Sequence, residues 1–379
     1  MKQIFRTFTR AGYVHAAKPL MFRKSPDAVH RGTVGFGRKV QRIPLSRQLI
    51  AGIWQHSSAM LSQQIHGLTF PNPVGLSAGF DKNAELLPLM ESVGFGFVTG
   101  GSITGYRCEG NPRPWFHRLP EQRSIVVHAG LPNIGSATIS RRLAKDTLVA
   151  RRHVPLFLSV ARTNTRESST ELKAIADYAL ALKNLRRYAD VFEINISCPN
   201  TYGGEPFTTP ARLRRLLTSI DALKLKQPVF IKMPSNLPWS EYEALLDEIA
   251  AHDVQGVTIS NLRKDRTGMG VDESIKGNLS GAPTKALSDE LIARTYGKYG
   301  DKLTIIGVGG IFTARDAYDK IKNGASLVAL VTGLIYEGPQ LVGQINKDLE
   351  VLLRADGYTH ISQAIGSAAK DAHDHKRKN

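Results

Sequence analysis

A single cysteine flanked by carboxamides carries the most chemical information in this chain. In Asn195-Ile196-Ser197-Cys198-Pro199-Asn200-Thr201 a thiol stands between two asparagines, directly after the run Val191 to Ile194. A run of that length, bounded by Asn and Pro, reads as a buried strand that hands the chain to a loop at its last residue. A thiol there can take a proton from carbon, and the neighbouring carboxamides can hold a planar ring that itself bears amides. Packing habit offers a plainer account, in which cysteine is a small core residue and asparagine a turn former.

The elements that must position this stretch follow from periodicity. From Gly67 onward, short apolar runs alternate with helical patterns. Strands are expected at Val74 to Ser77, Phe97 to Gly100, Leu156 to Val160, Val191 to Ile194, Val229 to Ile231, Gly256 to Ile259, Thr304 to Ile306 and Leu327 to Leu330. Helical stretches follow most of them, at Ala84 to Ser92, Leu172 to Leu185, Arg212 to Leu225, Trp239 to Ala251, Thr284 to Tyr299 and Ala314 to Asn323. Eight such units over roughly 270 residues predict an α/β fold, the closed (β/α)8 barrel, whose active groups lie just past the strand ends. A doubly wound open sheet is the alternative. The chain then divides into a helical extension (1–66), the barrel (67–354) and a polar tail (355–379), with Lys376-Arg377-Lys378 expected to fray.

The residues just past each strand form a consistent set. They are Ala78-Gly79-Phe80-Asp81-Lys82, Ser102, Ser159 to Thr165, the Cys198 stretch, Lys232, Ser260-Asn261, Gly307-Val308-Gly309-Gly310 and Thr332-Gly333. The last two loops of a barrel commonly bind phosphate through backbone amides that glycine leaves uncovered. Lysine is ordinarily a solvated surface residue, but Lys82 and Lys232 at strand ends inside one mouth point to an anionic cofactor and substrate.

Charge and composition bound the remaining possibilities. Of a net charge of +17 over 379 residues, ten units lie in residues 1–66, where eleven Lys or Arg face Asp27 alone. No apolar run approaches the ~18 residues of a spanning helix, and no signal peptide is evident after the basic opening Met1 to Arg10. Two cysteines, Cys108 and Cys198, supply neither a disulfide framework nor a metal-site spacing, so no metal is expected and a reducing compartment is the default. In the extension, Lys2, Arg6 and Arg10 oppose Ile4, Phe8 and Ala11 on a short helix that Pro19 should end. A second helix should start at Ser25-Pro26-Asp27, with Ser25 as cap, and a third should run from Arg47 to Gln64. A basic amphipathic segment suits an anionic membrane surface, although the same charge could attract RNA.

The chain resembles the dihydroorotate dehydrogenase family over nearly its whole length. The resemblance rests on Gly75-Leu76-Ser77-Ala78-Gly79-Phe80-Asp81-Lys82, Asn195 to Thr201, Ile231-Lys232, Leu279-Ser280-Gly281, Ile306 to Gly310 and Gly324 to Val328. It implies FMN-dependent oxidation of dihydroorotate to orotate in pyrimidine synthesis, with Cys198 as the base. Lys82, Gly130, Leu131, Asn195, Asn200 and Asn261 would hold the substrate. FMN would lie against Ala78, Gly79, Lys82, Ser102, Ser159, Asn195, Lys232, Ser260, Gly281, Gly309, Gly310, Thr332 and Gly333. The basic extension is similar to that of the membrane-associated class 2 enzymes, which pass electrons to a quinone. His30, in Pro26-Asp27-Ala28-Val29-His30, and Arg118 match that class's quinone-site residues. The expectation is thus a peripheral enzyme on the cytoplasmic side of the cell membrane, with a membrane quinone and an anionic lipid surface as partners. No nucleic acid is expected, and the monomer is the default state.

Four positions depart from the class 2 pattern. Cys198 replaces the usual Ser, as in class 1, which also shares the Gly130-Leu131-Pro132-Asn133 wording. Val127 and Leu262 stand where the family has a substrate-binding Asn and a Thr or Ser, and Val331 replaces a Tyr near the quinone. Three other readings remain open at this level: a class 1 enzyme using fumarate or NAD, an FMN-dependent tRNA dihydrouridine synthase, and a flavin-binding scaffold without activity.

Overall fold

Eight strands rich in Val, Ile, Leu and Phe hydrogen-bond in chain order and close on themselves. The computed structural model describes residues 2–368, so the Lys376-Arg377-Lys378 end lies outside the described residues. The barrel strands are Val74–Leu76, Phe97–Ile103, Leu156–Val160, Val191–Asn195, Val229–Lys232, Gly256–Ile259, Thr304–Val308 and Leu327–Leu330. All pair in parallel, and the eighth closes on the first with Val328 opposite Val74. These are the eight strands expected from periodicity, and the open doubly wound alternative is excluded by the closure.

Side chains alternate between the faces of a strand, which fills the barrel in layers. At the N-terminal end Phe97, Phe157, Val191, Phe230, Ile306 and Leu327 form one cluster, with Phe70 added by a hairpin of Gln63–Ile65 and Leu68–Phe70. The ring centroids of Phe97 and Phe157 lie 4.9 Å apart, and those of Phe157 and Phe230 5.9 Å. Gly75 and Gly256 leave the space these rings occupy, since a Cβ at either would collide with Phe97 or Phe230. Two residues further along the same faces come Ser159, Glu193 and Lys232, and Asn195 follows Glu193. The interior therefore changes from aromatic to polar toward the C-terminal ends.

The extension differs from its expected outline. Helix α1 (Lys2–Gly12) runs through a π-helical turn, Tyr13–Ala17, into α2 (Lys18–Phe22). Pro19 does not end the helix; it occupies the first turn of α2, and the widened turn before it accommodates its ring and missing N–H. Helix α3 (Pro26–Val40) begins as expected, with the Ser25 side chain accepting from Ala28 N. Helix α4 spans Pro44–Trp54 and stops ten residues short of Gln64, because its apolar stripe ends at Trp54 and residues 63–65 pair as a strand.

Helix α1 is also turned over relative to the simplest amphipathic picture. Arg6 is 3% exposed and donates to the Trp54 carbonyl, while Arg10 pairs with Glu337 at 2.7 Å. Ile4, Phe5 and Phe8 face outward instead. Arg6 goes inward because the carbonyl end of α4 accepts it, whereas Arg10 stays largely exposed and reaches across to a carboxylate of the barrel.

A further sheet was not legible in the periodicity. Strands Phe116–Leu119, Ser124–Val127 and Asn278–Gly281 form an antiparallel sheet from insertions after the second and sixth barrel strands. Beyond the last long helix, Leu341–Ala355, a turn at Ile361–Ala364 buries Ile361 and Ala364.

Truncating a fully buried aromatic ring costs about 3–5 kcal/mol, whereas an exposed apolar side chain costs within about 0.5 kcal/mol. Phe157→Ala should therefore shift the denaturant midpoint strongly downward and Phe8→Ala should leave it in place, as read by fluorescence-detected urea unfolding.

Candidate active site

The C-terminal mouth of the barrel, the added sheet, the π-helical turn and helices α2 to α4 enclose one cavity of about 910 Å³. Its lining includes Ala78, Gly79, Lys82, Ser102, Gly130, Leu131, Asn195, Cys198, Asn200, Lys232, Ser260, Asn261, Gly281, Gly309, Gly310, Thr332 and Gly333. His30 and Arg118 line the same space from the side of the extension. Ser159 is the exception among the expected site residues. It is fully buried behind the wall, where its Oγ lies 2.8 Å from that of Ser102.

The loop after the fourth strand is held by carboxamides. Asn195 Nδ2 donates to Ser102 Oγ at 2.9 Å, and its Oδ1 accepts from Ser197 N at 3.2 Å. Asn261 Nδ2 donates to Ser197 O at 2.7 Å, so the loops after the fourth and sixth strands are tied together. Asn200 Nδ2 donates to the Val127 carbonyl and its Oδ1 accepts from Asn278 Nδ2, both at 2.9 Å. A carboxamide has two N–H donors and two acceptor lone pairs, so each asparagine retains a donor or an acceptor for a ligand. Asn111 adds a bond to the Asn200 carbonyl at 2.9 Å and sits beside His128, which does not reach the cavity wall. At Val127, where the family has an asparagine, the backbone carbonyl is occupied by Asn200.

Cys198 and Lys82 both line this cavity. Desolvation pushes the Cys198 thiol up to about 11, with the Glu205 charge adding to it and Lys232 opposing it. The site's field therefore does not depress the thiol, contrary to what a catalytic cysteine beside lysines leads one to look for. Desolvation lowers Lys82 to about 8, against the raising influence of Asp27 and Asp81. Its Nζ donates to the Gly79 carbonyl at 2.8 Å and lies 4.9 Å from the centre of the Phe116 ring.

The extension reaches into the same site. His30 Nε2 bonds the Phe80 carbonyl at 2.7 Å, within the loop that carries Lys82. Burial and the nearby Lys82 charge lower this imidazole to about 3, so it is neutral and donates that bond. Arg118 Nη1 donates to the Lys24 carbonyl at 2.8 Å, and its guanidinium stacks 4.4 Å from the Phe22 ring centre. Asp27, buried on α3, accepts from Trp115 N at 3.2 Å. These bonds make one wall of the cavity out of the extension.

Sequence reasoning passed over Glu193, Asn111, Asn278 and Asp27. Glu193 was absorbed into a run read as apolar, although strand alternation places it on the face of Asn195. It lies 4.0 Å from Lys232, with both side chains buried. Asn111 and Asn278 sit in insertions with no periodic signal, and nothing local marks them.

Comparison with known proteins agrees with this arrangement. The dihydroorotate dehydrogenase family profile matches residues 60–353. A dihydroorotate dehydrogenase (quinone) of Gloeobacter violaceus is 35% identical over 357 residues, covering 93% of this chain and 98% of that protein. A protein of the same name from a Mycobacterium species is 34% identical, covering 95% and 99%. The crystal structure of an Eimeria tenella dihydroorotate dehydrogenase in complex with ferulenol superposes with a TM-score of 0.76 at 29% identity, over 85% of this chain and 93% of that one. With its closed barrel, its Cys198 loop and a family match that extends from residue 60 to residue 353, the chain belongs to the dihydroorotate dehydrogenase family.

Proposed function

We propose that this chain oxidises (S)-dihydroorotate to orotate with bound FMN and passes the electrons to a membrane quinone, as a step of pyrimidine synthesis. The observation that carries this reading is the single cavity joining the Cys198 loop to His30 and Arg118 of the quinone-side wall. A class 1 enzyme would need no such wall, and the helices of the extension that build it lie between Tyr13 and Trp54.

The residues present fit a flavin mononucleotide. Lys232 is 5% exposed, lines the cavity, and has its nearest acidic partner at 4.0 Å, beyond hydrogen-bond reach. A buried ammonium aimed at open space calls for an electron-rich occupant. Gly309 and Gly310, with φ of 120° and 68°, take backbone conformations that suit glycine and present peptide edges to the cavity. We assign the phosphate to Gly281, Gly309, Gly310, Thr332 and Gly333, and the ring to Ala78, Gly79, Ser102, Asn195, Lys232 and Ser260. Ser159 acts from behind by orienting the Ser102 hydroxyl. Bound FMN supplies the two-electron acceptor that the protein itself lacks.

The protein's own tasks are orientation and proton transfer. Lys82 would pair with the substrate carboxylate, while Asn195, Asn200 and Asn261, together with Gly130 and Leu131, would bracket its ring. Cys198 in its thiolate form would take the proton from C5. At neutral pH a thiol near 11 is ionised in only about one molecule in ten thousand, so the rate should climb with pH. Lys82 must stay protonated, and it loses charge as pH rises through about 8. The profile of kcat/KM reports groups of the free enzyme. It should therefore rise about tenfold per pH unit up to about pH 8 and then flatten, as growing thiolate is offset by falling ammonium. A plateau reached already at pH 6 would rule out this pairing of roles. Cys198→Ala should keep its flavin and reduce it roughly 100-fold more slowly in single-turnover absorbance measurements, the scale of a lost general base.

We assign a peripheral membrane location on the cytoplasmic side, with the extension as the lipid-facing part. No helix among the described residues is long and apolar enough to cross a bilayer. Among the described residues, eight of the twelve exposed large hydrophobics, including Ile4, Phe5, Phe8, Leu20 and Phe36, lie between Ile4 and Leu49. Lipid contact is assigned to these side chains, with Lys2 and other outward cations adding attraction to anionic headgroups. Full burial of one aromatic side chain contributes about 1.5–3 kcal/mol, so Phe5→Ser with Phe8→Ser should lower binding to anionic vesicles at least tenfold in co-sedimentation. Turnover with a short-chain soluble quinone should persist. Unchanged vesicle binding would remove this face from the membrane contact.

A further inference from the structure

Inside the barrel, one layer below the Cys198 loop, the Glu193 side chain is 3% exposed. Its Oε2 accepts from Thr258 Oγ1 at 2.8 Å, and its Oε1 has no hydrogen-bond partner among the described residues. A carboxylate oxygen without a donor is unfavourable in such a place unless a cation lies near it. The cation is Lys232, whose Nζ is 4.0 Å from that oxygen.

The two ends of Lys232 are controlled separately. Its backbone is fixed by the ladder, with Asn195 and Thr258 opposite it on the neighbouring strands, and its carbonyl accepts from Ser197 Oγ at 2.8 Å. Its ammonium has no comparable constraint except Glu193. At this separation in a site poor in water, Coulomb attraction is strong enough to decide where a flexible lysine tip rests. The pair is neutral as a whole, and its positive end faces the cavity.

We propose that Glu193 is a positioning residue that anchors the Lys232 ammonium and partly neutralises it, so setting how strongly the pocket favours reduced over oxidised flavin. The inference rests on the reading that a flavin occupies the cavity against Lys232. An uncompensated lysine would stabilise the extra negative charge of the reduced cofactor more, and would hold the electrons more firmly against the next acceptor. Glu193 moderates that hold. Thr258 in turn moderates Glu193, since its hydroxyl donates to the carboxylate and spreads its charge.

The test is the midpoint potential of the purified holoenzyme, titrated against a reference dye, for the parent, Glu193→Gln and Thr258→Val. Flavin content, read from absorbance, checks the underlying reading separately from the potential. Glu193→Gln should favour reduced flavin tenfold or more, a rise of about 30 mV for a two-electron couple. Thr258→Val keeps the carboxylate and strips its hydrogen bond, and should shift the potential in the opposite direction. A potential that is unchanged or lowered in flavin-replete Glu193→Gln overturns the proposal. If that variant does not fold, Thr258→Val decides alone, and a potential equal to the parent's overturns it equally.

Discussion

Polar groups taken into a closed barrel must find partners there, because the surrounding strands spend their own hydrogen bonds on each other. This protein meets that constraint by layering. Phe70, Phe97, Phe157 and Phe230 fill the N-terminal end, and the polar side chains are confined to the opposite end, where they can meet a ligand. Ser159, Thr258, Glu193 and Lys232 form the lowest polar layer, and Ser102 and Asn195 the next. The ligand-facing positions are thus held by neighbours that are themselves held, which limits how far any one of them can move.

The extension is joined to the barrel by buried charges rather than by a continuous apolar seam alone. Glu337 accepts from Arg10 and from Arg123, and Asp27 takes the Trp115 amide and Arg113. With Arg6 held against the Trp54 carbonyl and Arg10 reaching across to Glu337, the phenylalanines of α1 are left outside. The same docking brings His30 to the Phe80 carbonyl, so a segment outside the barrel helps to shape the loop that bears Lys82. One set of interactions therefore leaves apolar side chains on the outer face of α1 and completes a wall of the site.

Desolvation acts on Lys82 and Cys198 in opposite directions with a common result. It makes the ammonium easier to discharge and the thiol harder to ionise, so both groups drift toward neutrality in the closed cavity. In the proposed function an anionic substrate would reverse the balance for the lysine by supplying a partner. In the proposed reaction the thiolate would be scarce but strongly basic, in contrast with cysteines whose pKa is depressed by a helix terminus or an imidazolium.

Local pattern determined a great deal here. Eight apolar runs spaced by helical stretches specified the barrel, since period-2 and period-3.6 patterns are properties of short windows. The strand-end residues then followed, and all the expected site residues except Ser159 line the cavity. What only the tertiary structure decided lies in contacts between distant segments. The sheet of Phe116–Leu119, Ser124–Val127 and Asn278–Gly281 pairs residues more than 150 positions apart, and no window contains such a pairing. The orientation of α1 depended on Glu337, over 320 residues away. The direction of the Cys198 shift depended on how completely the cavity excludes water, and the importance of Glu193 on a lysine brought beside it from the next strand. Periodicity is written in neighbouring residues, whereas burial and charge pairing exist only once the chain has closed around them.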